Sequence, residues 1–344
     1  MLDADVEVDR RDFTVHAAVQ VAAGERVALF GPSGAGKTTL LEVVAGLVIP
    51  RRGRVVLGGR VLTSTTPPAR VVPPWQRRVG LLRQDPGLFP HLSVRGNLSY
   101  ARDADPSGAE LTEVAATLGL AGLLDAMPAA LSGGQRHRVA LGRLLLAHCD
   151  ALLLDEPFTG LDTSLRRSLT DLVVSLVAAR NVPAMLVAHE LADAQAFADR
   201  LAVLDRGELL QLGAPDEVVL RPASRRVAEL IGYLGFVPRG PDQVAGVHPE
   251  RTVPGAHPGR GLVLTGTVAA SRPAGAGWEA DLRVAGAAGA PGTIITSRLP
   301  DRPGPEGDEL TITVLDPPVF GRDGRATASA SALRQAAVTG ERSA

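Results

Sequence analysis

One eight-residue segment limits the folds open to this chain more than any other. Residues 31–38 read Gly-Pro-Ser-Gly-Ala-Gly-Lys-Thr and match the phosphate-loop pattern G-x-x-x-x-G-K-[ST] at every position. A short apolar run at residues 27–30 precedes the segment, and residues 38–47, which have helical character, follow it. Strand, glycine-rich loop and helix in this order predict a nucleotide-binding α/β domain, rather than a glycine-rich turn with an incidental lysine.

The residue types in this segment suit phosphate binding. Glycines allow backbone N–H groups to approach phosphate oxygens closely, and the helix that follows adds its positive end. Lys37 is the only lysine among the 36 basic residues of the chain, and we expect its ammonium to reach the β and γ phosphates of ATP. The expected nucleotide-binding residues here are Gly31, Pro32, Ser33, Gly34, Ala35, Gly36, Lys37, Thr38 and Thr39.

A second predicted element ends in two acidic residues. Residues 151–154 are Ala-Leu-Leu-Leu, a buried strand by pattern, and Asp155 and Glu156 follow directly. Side chains at the end of such a strand face the bound ligand. We expect Asp155 and the Thr38 hydroxyl to hold Mg²⁺, and Glu156 to act as general base on the attacking water.

Residues 131–135, Leu-Ser-Gly-Gly-Gln, resemble the signature motif of ABC-type ATPases. The resemblance covers about residues 1–235 and includes three further positions in the family's order: Gln84, Asp162 and His189. It implies that Gln84 contacts Mg²⁺ and the reacting water, and that His189 contacts the γ-phosphate. It also implies that ATP binds between the phosphate loop of one subunit and the signature of another, where the expected contacts are Ser132, Gly133, Gly134, Gln135 and Asp162.

Three more residues need an interpretation. Phe13 either stacks on the adenine ring, as an aromatic residue near the N-terminus does in that family, or packs in the core beside Val15; the sequence leaves both open. His137 is expected at the surface. Cys149 is expected to be a packing residue, because no base or second thiol accompanies it.

The element pattern predicts an α/β P-loop NTPase domain with an antiparallel β subdomain at residues 1–220 and a linker at 221–245. Residues 246–322 are rich in Pro and Gly, with short β-like runs at 262–268, 278–284, 293–296 and 309–314. We expect a small all-β barrel there, resembling the OB-type accessory (TOBE or Mop-like) domain of importer ATPases. The tail at 323–344 is expected to be disordered.

Charge and composition restrict the partners. A net charge of −1 without a basic run argues against nucleic-acid binding, and a single cysteine excludes an intramolecular disulfide. The N-terminus lacks the pattern of a signal peptide, and no apolar stretch has the length of a membrane helix. The family resemblance implies a homodimer held by permease subunits at the cytoplasmic face of the cell membrane, with a substrate-binding protein.

The transported substrate is predicted from residues 84–98, which read Gln-Asp-Pro-Gly-Leu-Phe-Pro-His and then Leu-Ser-Val-Arg-Gly-Asn-Leu. This segment is similar to that of molybdate importer ATPases, so molybdate is the expected substrate. Iron(III), sulfate, thiosulfate or a polyamine are alternatives of the same class. A soluble ABC ATPase of translation or DNA repair, and a P-loop nucleotide kinase, are alternatives of other classes.

Overall fold

The computed structural model describes residues 1–11, 13–100, 108–240, 242–285 and 292–327. The chain divides into two compact units, Met1–Pro215 and Asp216–Ala344. In the described ranges, no helix has both the length and the apolar character that crossing a bilayer requires.

The first unit is built on one eleven-stranded sheet with the order β6-β5-β4-β1-β2-β11-β10-β3-β9-β8-β7. Its strands are β1 (Leu2–Asp9), β2 (Thr14–Val21), β3 (Arg26–Phe30), β4 (Arg52–Leu57), β5 (Arg60–Ser64), β6 (Arg70–Val71), β7 (Val79–Leu82), β8 (Ala151–Asp155), β9 (Ala184–Val187), β10 (Arg200–Asp205) and β11 (Glu208–Gly213). Its helices are α1 (Lys37–Ala45), α2 (Val94–Ser99), α3 (Ala109–Thr117), α4 (Gly133–Leu146), α5 (Thr163–Arg180) and α6 (Leu191–Phe197).

The two halves of this sheet differ in strand direction, and burial follows that difference. Strands β10, β3, β9, β8 and β7 pair in parallel, and every residue of β8 and β9 is buried. Strands β6, β5, β4, β1 and β2 pair antiparallel, and burial in β1 and β2 alternates along the chain. Parallel strands covered on both faces are continuously apolar, whereas half-covered strands alternate. The predicted α/β P-loop fold with an antiparallel part is confirmed.

The described part of the segment between α2 and α4 contains one short helix, α3. Helix α3 ends at Thr117, and Gly119 follows with a φ of 63°. A glycine in the left-handed region ends a helix because it allows the last carbonyls to be capped. A 3-10 turn, Ala121–Leu123, then completes the segment.

The second unit contains two antiparallel sheets, and α7 (Pro215–Leu220) begins at the last residue of the first unit. One sheet has the order β12-β13-β19 and the other β14-β18-β15-β16-β17. The elements are α8 (Arg225–Leu230), β12 (Phe236–Pro238), β13 (Val244–Gly246), β14 (Thr252–Pro254), β15 (Gly261–Ala274), β16 (Gly277–Val284), β17 (Thr293–Leu299), β18 (Glu309–Leu315) and β19 (Val319–Phe320).

The second unit can be compared with the expected linker, β domain and tail segment by segment. Helix α8 and strand β12 lie within the segment expected to be a linker, so this part is structured. The hydroxyls of Thr252 on β14 and Ser297 on β17 lie 2.7 Å apart, so the two edges of the five-stranded sheet approach each other. The four β-like runs found in the sequence lie within β15–β18. Most of the predicted tail, residues 328–344, lies outside the described residues.

A buried arginine holds the end of α1 in the first unit. Arg77 is 1% exposed, and it donates from Nη1 to the carbonyls of Val43 (3.1 Å) and Val44 (3.0 Å) in the last turn of α1. It also donates from Nε to Val72 O (2.7 Å) and from Nη2 to Thr63 Oγ1 (2.8 Å). The last carbonyls of a helix have no partner within the helix. The Arg77 guanidinium donates hydrogen bonds to them, and its positive charge interacts favourably with the negative end of the helix dipole.

We predict that Arg77→Met lowers the free energy of unfolding of the first unit by about 3 kcal/mol, because it leaves several buried acceptors without a donor. A urea titration read by peroxide oxidation of Met185 measures this unit alone, since Met185 is fully buried in β9. The control is Arg78→Met, whose side chain is 60% exposed and pairs with Asp150. Equal urea midpoints for the two variants would contradict the role given to Arg77.

Candidate functional site

Only glycine fits at the first position of the loop between β3 and α1. Gly31 has a φ of 146°, and a Cβ on it would lie 2.0 Å from the carbonyl oxygen of Leu204 in β10. At the other end, Gly36 has a φ of 101°, and a Cβ there would lie 2.8 Å from Val15 Cγ2. The loop is therefore packed against the sheet at both ends, which fixes the direction of its N–H groups.

Lys37 is the first residue of α1, and its ammonium lies over its own loop. Nζ donates to Gly31 O at 2.7 Å and to Pro32 O at 2.9 Å, and the residue is 5% exposed. Burial lowers the pKa of Lys37, and the carboxylates of Glu156 and Asp155 oppose that shift. The only lysine of the chain thus lies at the loop predicted to bind phosphate.

Thr38 and Asp155 meet through their side chains. Thr38 Oγ1 donates to Asp155 Oδ1 at 3.1 Å, and Asp155 is 5% exposed. Burial raises the pKa of Asp155, as do the Glu156 and Glu42 carboxylates, whereas the Thr38 hydrogen bond and Lys37 oppose the shift. A hydroxyl and a carboxylate at one point are hard oxygen donors of the kind that Mg²⁺ prefers, so the residues present fit that ion.

Glu156 lies at the centre of the predicted catalytic residues. Its backbone has a φ of 54°, the left-handed region, which is costly for a residue with a side chain and occurs mainly where the surroundings impose it. One carboxylate oxygen contacts His189 Nε2. The other accepts from Gln84 Nε2 at 3.5 Å. The three predicted catalytic residues, from three different strand ends, are therefore brought together.

These groups line a cavity of about 500 Å³. The lining includes Ser33 to Thr39, Gln84, Glu156 and His189, together with Arg10, Arg11 and Phe13 at the segment between β1 and β2. Gly31, Pro32 and Asp155 do not line it but hold Lys37 and Thr38 from behind. Phe13 lies where it could meet a base, and it also packs on the core of the first unit, so both interpretations of this residue stay open.

The signature residues lie elsewhere in the same unit. Ser132 caps α4 in a reciprocal arrangement: Gln135 N donates to Ser132 Oγ (3.2 Å) and Ser132 N donates to Gln135 Oε1 (2.7 Å). Asp162 caps α5 by accepting from Leu165 N at 3.0 Å. Neither Asp162 nor the run Ser132, Gly133, Gly134 and Gln135 lines the phosphate-loop cavity. The described residues of one chain thus contain both halves of the predicted site without joining them.

The expectation that His137 lies at the surface is wrong. It is 9% exposed, on the buried side of α4, and its Nε2 has no hydrogen-bond partner among the described residues. Burial lowers the pKa of His137, against a hydrogen bond with the backbone of Pro157. The polar residues 135–138 gave the impression of an exposed helix face. The buried face of α4 is in fact broad: it includes Val139, Ala140 and Leu141, and His137 lies on it.

We predict that acid destabilises the first unit through His137. Its folded pKa is lowered, so below the ordinary value of 6.5 the unfolded chain binds a proton that the folded chain binds less well. The contribution of neutral His137 to the free energy of unfolding is therefore fully present above pH 6.5. It is lost as the pH falls from 6.5 toward the lowered pKa of His137 in the folded chain.

The measurement is the urea midpoint by Met185 oxidation across this pH range, where His137→Gln should flatten the dependence. The control is His148→Gln at an exposed residue beyond the end of the same helix, which should leave it unchanged. A pH dependence that survives in His137→Gln would contradict the assignment.

Two arginines that sequence reasoning missed, Arg10 and Arg11, reach the cavity. Arg10 Nε donates to Thr39 Oγ1 at 2.9 Å, which joins its segment to α1. The sequence does contain a sign of this role, because the arginine pair lies close to Phe13, the candidate for stacking on the adenine ring.

Comparison with known proteins agrees with this geometry. Residues 15–159 match the family model described as ABC transporter. The first unit has an ABC ATPase fold. A dimeric ATP-binding cassette in a post-hydrolysis state, bound to ADP and Pi, is similar in structure, with a TM-score of 0.54, 24% identity, and coverage of 62% of this chain and 99% of that one.

Two curated relatives are similar in sequence. The chain is 41% identical over 223 residues to the "Fe(3+) ions import ATP-binding protein FbpC" of Mesorhizobium japonicum, covering 64% of this chain and 61% of the relative. It is 38% identical over 219 residues to the "sn-glycerol-3-phosphate import ATP-binding protein UgpC" of Roseobacter denitrificans, covering 62% and 59%. The match thus spans about six tenths of the length of these relatives.

Proposed function

We propose that this chain is the ATP-hydrolysing subunit of an ABC importer, in which two copies of the first unit join. The observation that carries the proposal is one cavity that holds the phosphate loop, Lys37, Gln84, Glu156 and His189. The alternatives of other classes, a soluble ABC ATPase and a P-loop kinase, have less support, since the relatives in sequence are named as import proteins.

The mechanism follows from these residues. Loop N–H groups and Lys37 bind the phosphates and stabilise the negative charge that develops on them. Thr38, Asp155 and Gln84 would hold Mg²⁺, which supplies charge neutralisation at the phosphate oxygens when bound. Glu156 accepts a proton from the attacking water. His189 and Gln84 contact the Glu156 carboxylate from two sides, so they hold the base in position.

The second copy is part of this proposal. The first N–H groups of the helix that begins after Ser132 have no carbonyl partner within the helix, and such an end can bind an anion. Because this end does not line the cavity of its own chain, a second copy that places it against the bound γ-phosphate would complete both sites. Permease subunits and a substrate-binding protein would complete the importer at the cytoplasmic face of the membrane, and the second unit would serve as its accessory domain.

Glu156→Gln is expected to lower the rate of ATP hydrolysis about 100-fold or more, because it removes the general base. ATP binding should persist, and the variant should form an ATP-dependent dimer in light scattering after size exclusion. Glu113→Gln, at an exposed position of α3, is the matched control. Normal hydrolysis by Glu156→Gln would show that another group is the base.

Lys37 allows a direct test of the binding site, because no other side chain carries a primary amine. ATP should protect Lys37 from acetylation, measured by mass spectrometry against the N-terminal amine as internal reference. Lys37→Ala should weaken ATP binding at least about tenfold, since a charged group bonded to phosphate is lost. Equal acetylation with and without ATP would argue against the assignment of this cavity.

For the substrate we propose iron(III). The support is the relative named for Fe(3+) import at 41% identity, which favours the alternative over the expected molybdate. The segment at residues 84–98 still favours molybdate by its resemblance, so the experiment must distinguish iron from molybdate. The UgpC relative is named for a third substrate, sn-glycerol-3-phosphate.

The substrate is tested by the elemental content of source cells that carry the native chain or Glu156→Gln. Cells grown with limiting iron or limiting molybdate are analysed by mass spectrometry for iron, molybdenum, tungsten and sulfur. The variant should lower iron selectively. A fall confined to molybdenum and tungsten would replace iron by an oxyanion, and unchanged content of all four elements would contradict both substrates.

A further inference from the structure

The carboxylate of Glu42 on α1 lies between two arginines from distant parts of the first unit. Its Oε2 accepts from Arg10 Nη2 at 3.2 Å, and its Oε1 lies 3.6 Å from Arg83 Nη2. The Glu42 side chain is 19% exposed, whereas those of Arg10 and Arg83 are 33% and 59% exposed. One oxygen thus faces each arginine, and the shared carboxylate is the most buried of the three groups.

The two arginines belong to two different segments that contribute lining residues to the cavity. Arg10 lies between β1 and β2 and lines the cavity together with Arg11 and Phe13. Arg83 follows β7 and directly precedes Gln84, whose side chain contacts Glu156. Glu42 therefore contacts one lining residue, Arg10, and the chain neighbour of another, Gln84.

The main chain at Glu42 is held separately from its side chain. Glu42 O accepts from Leu47 N at 2.8 Å and from Val48 N at 3.3 Å, in the cap that ends α1. Arg10 is also bonded to Thr39, so its segment has a second attachment to α1. A change of the Glu42 side chain thus leaves the helix end and this attachment in place. Such a variant removes the ionic contacts of Glu42 while the fold around it is retained.

We propose that Glu42 is a positioning residue that couples the Arg10 segment to the Gln84 loop. A ligand that contacts the Arg10 segment changes how that arginine shares the carboxylate, and the change reaches Gln84 through Arg83. This inference rests on the proposed hydrolysis of ATP at the cavity. Since Arg83 is more than half exposed, solvent screens its ion pair, and the coupling is a modest effect on rate.

The test is a double-mutant cycle between Arg10 and Arg83, which the described contacts join only through Glu42. Arg10→Gln should raise KM for ATP, and Arg83→Gln should lower kcat with KM unchanged. In the presence of Glu42, kcat/KM of the double variant should differ at least about threefold from the product of the two single effects. In a Glu42→Gln background the same two substitutions should multiply independently.

The matched control is Arg78→Gln, an arginine at the other end of β7 with a similarly exposed side chain that pairs with Asp150. It should show no coupling to Arg10→Gln. A purely structural role of Glu42 would lower the urea midpoint by Met185 oxidation but would not create the cycle in kcat/KM.

Independent effects in the presence of Glu42 would overturn the coupling while leaving ATP hydrolysis intact. An unaltered chain that neither binds nor hydrolyses ATP would instead overturn the proposed function, and the coupling with it.

Discussion

The close approach of Gly31 to the carbonyl of Leu204 is the constraint on which the site depends. Strands β3 and β10 pair in parallel, so the loop that leaves β3 must pass directly beside the end of β10. Only a residue without a Cβ fits there with that φ, and the loop is then held from its other end by the contact of Gly36 with Val15. Because both ends are fixed, the N–H groups of the loop are preorganised, which lowers the ordering cost when an anion binds. Lys37, Thr38 and the start of α1 inherit their positions from this packing.

The phosphate loop and the acids after β8 were predicted from residue types at fixed positions, and Gln84 and His189 were predicted from the family resemblance. The phosphate loop, the acids after β8, Gln84 and His189 each follow a strand of the parallel half of the sheet, and parallel strands end at the same edge. Their meeting around Glu156 follows from topology once the strands are assigned. The apolar run in β8 was predicted in the same way, since burial on both faces of a strand leaves a continuous apolar pattern in the sequence.

Residues whose role depends on long-range packing were not predictable in this way. Arg77 looks like an ordinary charged residue beside Arg78, yet one is buried at the end of α1 and the other is exposed. Their different environments arise because Gly46, the cap of α1, leaves the space through which the Arg77 guanidinium passes; a Cβ there would lie 2.3 Å from Arg77 Nε. His137 likewise follows the polar signature and is nevertheless covered, because a helix that starts at an exposed cap turns its next residues inward within one turn. The environment of Arg77 depends on Val43 and Val44, more than 30 residues away, which a local pattern does not contain.

The separation of the signature from the phosphate loop is a consequence of the same architecture. The Glu156 carboxylate contacts His189 and Gln84, yet the cavity that these residues line includes none of the signature residues. Charge that develops on a transferred phosphoryl group is stabilised best by donors already directed at it from several sides, in a place that excludes water. A single copy offers the loop and Lys37, while its helix end at Ser132 does not line the cavity. Under the proposed function, closure of two copies supplies the missing donors and excludes water in one step, so hydrolysis would be tied to assembly. That coupling is what an importer needs, since energy released without closure could not move a membrane partner.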